Sequence, residues 1–397
     1  MQAALNTTAT FGANKSVRPI GEGDGFTSLI GLVTCDWTDA HSSENLPVQF
    51  AIKILTTANI GKVVREEDLA DFGANAGFHE QMLRQIHNHE SAIYAYLDAL
   101  PVKLAVPRCY YAVLADAENS DTAHIAMEYL DKTKICRMYE NLSIKQVKEI
   151  AREIGKFQAA TLGISGVDFS SDAIEGMMAM MTKDEAVVEK KIRTLTKSDA
   201  SPELAKMIDS FVSLIPMYAG TTLCMTAHKS LGLVPILAHG DLWSGNILID
   251  EQDGRLRSIV DWQGAHLSCP AEDLVRLLVT GISLSDRRAH MDEIIDELYD
   301  SLLANLKSGQ EVPYTREQLS SLTRILLPHM VFTMITMATP MCELITNDSR
   351  FSPEENERHK EGWMEKIRGM FETFFEMHEL NAAGTHYQKP ALHSRAN

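Results

Sequence analysis

Residues 234–273 read V-P-I-L-A-H-G-D-L-W-S-G-N-I-L-I-D-E-Q-D-G-R-L-R-S-I-V-D-W-Q-G-A-H-L-S-C-P-A-E-D. Two apolar, β-forming runs, 247–249 and 256–260, flank the turn dipeptide Asp253-Gly254, and this pattern predicts a short β-hairpin. His239, Asp241 and Asn246 come just before the first run, and Asp261 comes just after the second. Three oxygen-bearing side chains, Asp241, Asn246 and Asp261, therefore converge at the outer ends of one hairpin. Strands hold them there and loops leave them open to a ligand. Hard oxygen donors in such a place suit a small divalent cation and phosphate.

The spacing sharpens this. Asp241 and Asn246 form the D-x-x-x-x-N of a kinase catalytic loop, in which the Asp accepts a hydroxyl proton and the Asn reaches Mg²⁺. Asp261 stands where a second carboxylate would hold the ions that bridge the phosphates. Read alone, His239-Gly240-Asp241 is also compatible with a plain turn whose Asp bonds its own backbone.

Upstream, Gly21-Glu22-Gly23-Asp24-Gly25-Phe26-Thr27-Ser28 precedes an apolar run, 29–34. Glycines this dense allow backbone amides to approach phosphate closely, with Gly21, Gly23, Gly25 and Ser28 as the contacts. With no strand before it and no helix after it, the stretch is not read as a dinucleotide fingerprint. Glu22 and Asp24 are expected to face solvent. Residues 48–54 alternate as a buried strand with Lys53 near its end, a cost unless the lysine is paired or bound to an anion. A helix is predicted from Phe78 to Leu100, stopped by Pro101. Further strands are predicted at 109–115 and 124–130. Helices should open at Ser143, with Gln146 completing a capping box, at Ser201-Pro202, at Thr315 with Gln318, and at Ser352-Pro353.

The formal charge of −17 argues against a nucleic-acid or anionic-membrane surface. Cysteines 35, 109, 136, 224, 269 and 342 make no C-x-x-C pair, which favours free thiols in a reducing compartment. The N-terminal stretch has no signal-peptide pattern and no uncharged run reaches a spanning length, so a cytoplasmic address is expected. Two methionine groups, 177–181 and Met330, Met334, Met337 and Met341, suit either an irregular lipophilic pocket or an ordinary core. Trp243 and Trp262 flank the site, where packing is the expected role. There is no internal repeat.

H-G-D-L-W-S-G-N-I-L, I-V-D-W-Q and P-A-E-D-L-V-R-L-L resemble the small-molecule kinases related to aminoglycoside phosphotransferases and choline kinases. Asp-Trp-Gln and Pro-Ala-Glu-Asp-Leu are most similar to the ecdysteroid kinase-like branch, and the resemblance runs from about residue 21 to about residue 278. Gly240 and Trp262-Gln263 depart from the His-Arg-Asp and Asp-Phe-Gly of protein kinases. Pro270 follows Asp261 by only nine positions, which leaves no room for an activation segment.

The resemblance implies an α+β, bilobal, protein-kinase-like fold. Its parts would be a loosely held N-terminus (1–16), a mostly β N-lobe (17–131), a helical C-lobe (132–380) and a tail (381–397). It implies ATP and Mg²⁺ as cofactors, with Asp241 catalytic, Asn246 and Asp261 on the metal, and Lys53 on the α- and β-phosphates. H-N-H-E at 87–90 is similar to the family's H-N-x-E, so Glu90 would pair Lys53, with Glu80 as the alternative. Met127-Glu128-Tyr129-Leu130 resembles a kinase hinge, whose backbone at Glu128 and Leu130 would meet adenine. Asp273 would brace the catalytic loop, and His239 would bond the loop backbone.

The implied acceptor is a small-molecule alcohol: an ecdysteroid or other lipophilic secondary alcohol first, choline or ethanolamine second. Trp363 could contribute to the aromatic cage that choline needs. Rival classes are a catalytically silent pseudokinase acting as a binding module, which would be expected to have lost one of the four site residues, and a protein kinase.

Overall fold

The computed structural model describes residues 1–21, 28–40, 45–56, 76–119, 122–164, 169, 182–336 and 338–384, with the backbone alone for 76–79, 339 and 340. A five-stranded antiparallel sheet dominates the N-terminal part, in the order Ser16–Ile20, Ser28–Thr34, Gln49–Leu55, His124–Glu128, Cys109–Val113. The helix Ala76–Asp98 packs on it. After residue 134 the chain is largely helical, with the hairpin Ile247–Asp250/Leu256–Ile259 set among the helices. A sheet-rich N-terminal region and a helical C-terminal region make up the expected α+β, kinase-like architecture.

Local chemistry accounts for these elements. The hairpin register pairs Ile247 with Ile259 and Leu248 with Ser258, so Ile247, Ile249 and Ile259 all enter the core, and Gly254 supplies the left-handed turn residue (φ 71°). Both halves of the Ser143/Gln146 capping box form. Val147, Ile150, Ile154 and Phe157 are buried along that helix, which packs against Leu284–Asn305. Ser201, Thr315 and Ser352 cap the other helices as expected. All six cysteines are free thiols.

Several expectations fail for identifiable reasons. The N-terminal residues are tied down: Gln2–Leu5 is a short helix, and Thr10–Phe11 pairs with Trp37–Thr38. A strand, Ser16–Ile20, does precede the glycine run, but the next element is its antiparallel partner Ser28–Thr34 and not a helix. On Ala76–Asp98, Ile93, Tyr94 and Leu97 of the apolar set Met82, Ile86, Ile93, Tyr94, Leu97 and Leu100 are buried as their spacing predicts, but Met82 and Ile86 are only half-buried and Leu83, His87, Glu90 and Ser91 are buried with the first three. The face carries polar groups, which the apolar periodicity could not reveal.

The helix Arg316–Thr336 is long and apolar enough to cross a membrane by length and composition, but 72% of its apolar window is buried inside the protein. It contains Pro328, which cannot donate to the carbonyl of Arg324 one turn back; the Asn381 side chain donates to that carbonyl instead, at 3.1 Å. Asn381 is thus anchored, and its helix continues to Ala383, into the stretch expected to be a tail.

Candidate functional site

Lys53 projects from the strand Gln49–Leu55, paired in register with Ile30 and Ile125, and its side chain is buried. Its ammonium donates to both carboxylate oxygens of Glu90, at 2.8 and 2.7 Å, and to Asp261 Oδ1 at 2.6 Å. Burial alone would drive the proton off Lys53. The two carboxylates more than reverse this, and Lys53 stays charged. Glu80, the alternative partner, is exposed and pairs with Arg84 at 2.8 Å.

The H-N-H-E stretch places Glu90 by anchoring its helix three times. His87 Nε2 bonds the Val113 carbonyl at 2.9 Å, and Asn88 exchanges two bonds with the Ala115 backbone, at 2.7 and 2.9 Å. His89 Nε2 lies 2.6 Å from the Ala265 carbonyl, just beyond Asp261. Tyr94 adds a fourth tie: its hydroxyl accepts the Asp261 N–H at 3.3 Å. Asp261 itself has φ 65° and ψ 60°, a left-handed conformation that is uncommon outside glycine and tolerated best by Asp and Asn.

The second cluster is built on the loop 239–246. Both oxygens of the buried Asp273 accept backbone N–H groups, from His239 at 2.8 Å and Gly240 at 3.0 Å. His239 Nδ1 accepts the Asp241 N–H at 3.2 Å, which puts the ring proton on Nε2, facing the Val260 carbonyl at 2.9 Å. Burial lowers the His239 pKa, in keeping with a neutral ring that holds backbone. Gly240 has φ 79°, and a Cβ there would stand 2.1 Å from the Gly264 carbonyl oxygen, so the loop closes only around glycine.

Asn246 Nδ2 donates to the Asp241 carbonyl at 2.9 Å and to Asp241 Oδ2 at 3.2 Å. With both amide protons used inward, its Oδ1 is left for other partners. The Asp241 carboxylate keeps 38% of its side chain open, and Arg276 Nη1 lies 3.2 Å from its Oδ1. The surrounding protein pushes the Asp241 pKa up toward about 6, while Arg276 opposes the rise.

Arg276 was not singled out among the sequence candidates. Its signal is present in L-V-R-L-L, a lone charge inside an apolar helical run, costly unless it has a partner. His87, Asn88 and His89 were likewise read only as family pattern.

Of the glycine-run candidates, Gly21 ends its strand with φ 64° and Ser28 begins the next; Gly23 and Gly25 lie outside the described residues, as do Glu22 and Asp24. At the hinge, the Glu128 N–H is taken by the Arg108 carbonyl at 2.8 Å, and the Leu130 carbonyl accepts the Thr133 hydroxyl at 2.9 Å. Trp262 is buried against His239 and Phe157, at ring distances of 4.6 and 5.0 Å. Trp363 is also buried, with its indole N–H on the Ala338 carbonyl, so it contributes no open cage wall. Met330 and Met341 are core residues, and Met334 touches Arg276; Met337 and the methionines at 177–181 lie outside the described residues. Among the described residues no group of three or more His, Cys, Asp or Glu converges as a metal cage.

The family DUF1679, described as "Uncharacterized oxidoreductase dhs-27", matches residues 1–382. The Caenorhabditis elegans "Uncharacterized oxidoreductase dhs-27" is 25% identical over 340 residues, 80% of this chain and 39% of that protein. The "Uncharacterized kinase-like protein D1044.1" of the same organism is 20% identical over 251 residues, 62% of this chain and 63% of its own length. The chain thus spans under two thirds of either relative. Choline kinase from Cryptosporidium parvum Iowa II superposes with a TM-score of 0.50 over 93% of this chain and 90% of that one, at 12% identity, a likeness of fold. With nearly its whole length matched, the chain belongs to the DUF1679 family, and its fold is that of the choline kinase-like small-molecule kinases.

Proposed function

We propose that the protein is an ATP-dependent, Mg²⁺-requiring phosphotransferase acting on a hydroxyl of a small molecule, with a lipophilic uncharged alcohol such as an ecdysteroid or sterol as first choice. One observation carries this: Lys53, from a strand some 200 positions earlier, lies 2.6 Å from Asp261, at the open end of the hairpin, where the Val260 N–H bonds the Asn246 carbonyl at 2.9 Å and Asn246 in turn bonds Asp241. The cluster of Lys53, Glu90 and Asp261 has one cation for two carboxylates, an imbalance that suits a bound divalent ion.

Mg²⁺ bound there would neutralise charge on the β- and γ-phosphates. Asp261 and the Oδ1 of Asn246 fit it as hard oxygen donors. Lys53, steadied by Glu90, would contact the α- and β-phosphates, and the Glu128 carbonyl with the Leu130 N–H would receive adenine. Asp241 would orient the acceptor hydroxyl and take its proton as the new O–P bond forms and the bond to the ADP oxygen breaks. His239 and Asp273 would hold the loop. The lobes would divide near residue 131, with the N-lobe at 17–131 and the C-lobe at 132–380, and a cytoplasmic address fits the free thiols.

The oxidoreductase in one relative's name is not carried over. A dinucleotide fold needs parallel strands joined by a crossover helix, and every strand pairing among the described residues is antiparallel. Incubation with Mg·ATP and separate panels of sterols, amino alcohols and a generic peptide tests the proposal. Transfer to an alcohol, lost in Asp241→Ala, is the expected result. Transfer to peptide alone would sink it, and nucleotide binding without turnover in wild type and Asp241→Ala alike would point to a silent binding module.

A further inference from the structure

We infer that Arg276 sets the charge class of the acceptor: the compound presented to Asp241 is uncharged or anionic near its reacting hydroxyl, and is not an ammonium alcohol. The inference rests on the kinase reading above and narrows its acceptor site. Arg276 sits on the helix Glu272–Gly281 and is only 5% exposed. Its Nη1 pairs with Asp241 Oδ1 at 3.2 Å and lies 3.7 Å from the Met334 sulfur, while its buried Nε–H has no hydrogen-bond partner among the described residues.

Arg276 also lines a cavity of about 40 Å³, with Glu272, Thr221, Thr222, Met330 and Thr333 among its walls. Among the described residues Glu272 is the only carboxylate there, and it is already engaged: His266 Nε2 lies 3.2 Å away and the Ser268 hydroxyl donates to it. Among the described residues, the cavity that Arg276 lines beside its contact with Asp241 therefore carries a buried guanidinium and no unengaged carboxylate. The aromatic rings in the lining, Tyr218 and Phe332, are buried and packed on Phe374 and Phe211, so they offer no open face to a cation, and an ammonium group placed there would meet the guanidinium as a like charge at short range. An oxygen-bearing arm of a neutral or anionic acceptor would instead give the Nε–H the partner it lacks. At this size the cavity takes such an arm and not a whole ring system.

Choline and its neutral isostere 3,3-dimethylbutan-1-ol separate the alternatives, because they share shape and differ in charge. In the wild-type protein with Mg·ATP, kcat/KM for the neutral alcohol should exceed that for choline by about tenfold or more, and Arg276→Gln should narrow the ratio to below about threefold, with Arg276→Lys keeping most of it. If Arg276→Gln does not fold, the wild-type ratio decides alone. If neither compound is turned over, their binding to the Mg·ADP-loaded protein, read by saturation-transfer NMR, replaces the rate ratio. A preference for choline, an unchanged ratio in a folded Arg276→Gln, or binding of neither compound by protein that does bind Mg·ADP overturns the inference and leaves the kinase reading standing. Failure to bind Mg·ADP at all would remove the kinase reading itself.

Discussion

The two charge clusters, one around Lys53 and one around Asp241, are built in opposite ways. Around Lys53 a buried cation meets two carboxylates drawn from positions 37 and 208 residues away in the chain. Around Asp241 a half-open carboxylate is met by Asn246 five positions on and by Arg276 on the following helix. The first cluster is long-range, buried and short of positive charge; the second is short-range, open and already balanced. We expect stability to depend most on the first cluster and acceptor choice on the second.

The largest effect should come from breaking the buried cluster. Lys53→Met leaves Glu90 buried and unpaired, and should cost about 3–5 kcal/mol in urea unfolding at neutral pH. A loss below about 1 kcal/mol would show that the cluster is relaxed by water, and the contrast with Asp241 would fade.

Next, Asp273→Ala removes the acceptor for two buried N–H groups, of His239 and Gly240, and should cost about 2–4 kcal/mol. Asp273→Asn keeps one acceptor oxygen and should fall between it and wild type. Equal losses in both variants would mean that charge, and not the paired bonds, holds the loop.

A third test uses pH. Burial lowers the His266 pKa, but Glu272 outweighs it and raises the ring to about 9 in the folded protein, above its ordinary value of 6.5. A raised folded pKa stabilises fully below the unfolded value and is lost as pH climbs through the folded one. Stability should therefore fall by about 1–3 kcal/mol between pH 6.5 and 9, and the slope should flatten in His266→Gln. A profile that rises over that window would rule out the His266–Glu272 pair as drawn.

The smallest effect is a control. Glu80→Ala, at an exposed pair, should stay within about 0.5 kcal/mol of wild type, against the large loss expected for Lys53→Met.

The same contrast explains what could be read from the sequence. The hairpin, the capped helices and the D-x-x-x-x-N spacing are short-range patterns, and the fold followed from them together with the family resemblance. Lys53 does meet Glu90 and Asp261, and Asn246 meets Asp241; the roles of these residues are what we propose. Long-range features were out of reach. Polar His87 and Glu90 share the inner face of their helix with Ile93, Tyr94 and Leu97, so the apolar spacing alone found the second half of that face and missed the first. Asn381 looked like the start of a tail because its partner, the carbonyl freed by Pro328, lies 57 positions away. Arg276 was passed over because its partner is a side chain on another element.

The most direct test of the whole is calorimetric titration with ADP, with and without Mg²⁺, of the wild type and Asp261→Asn. Asn tolerates the left-handed backbone at 261, so the substitution removes charge without forcing the loop open. Micromolar-range binding that depends on Mg²⁺ and weakens by about tenfold or more in Asp261→Asn is the predicted result. Absence of nucleotide binding in the folded wild type, or binding indifferent to both Mg²⁺ and Asp261, would contradict it.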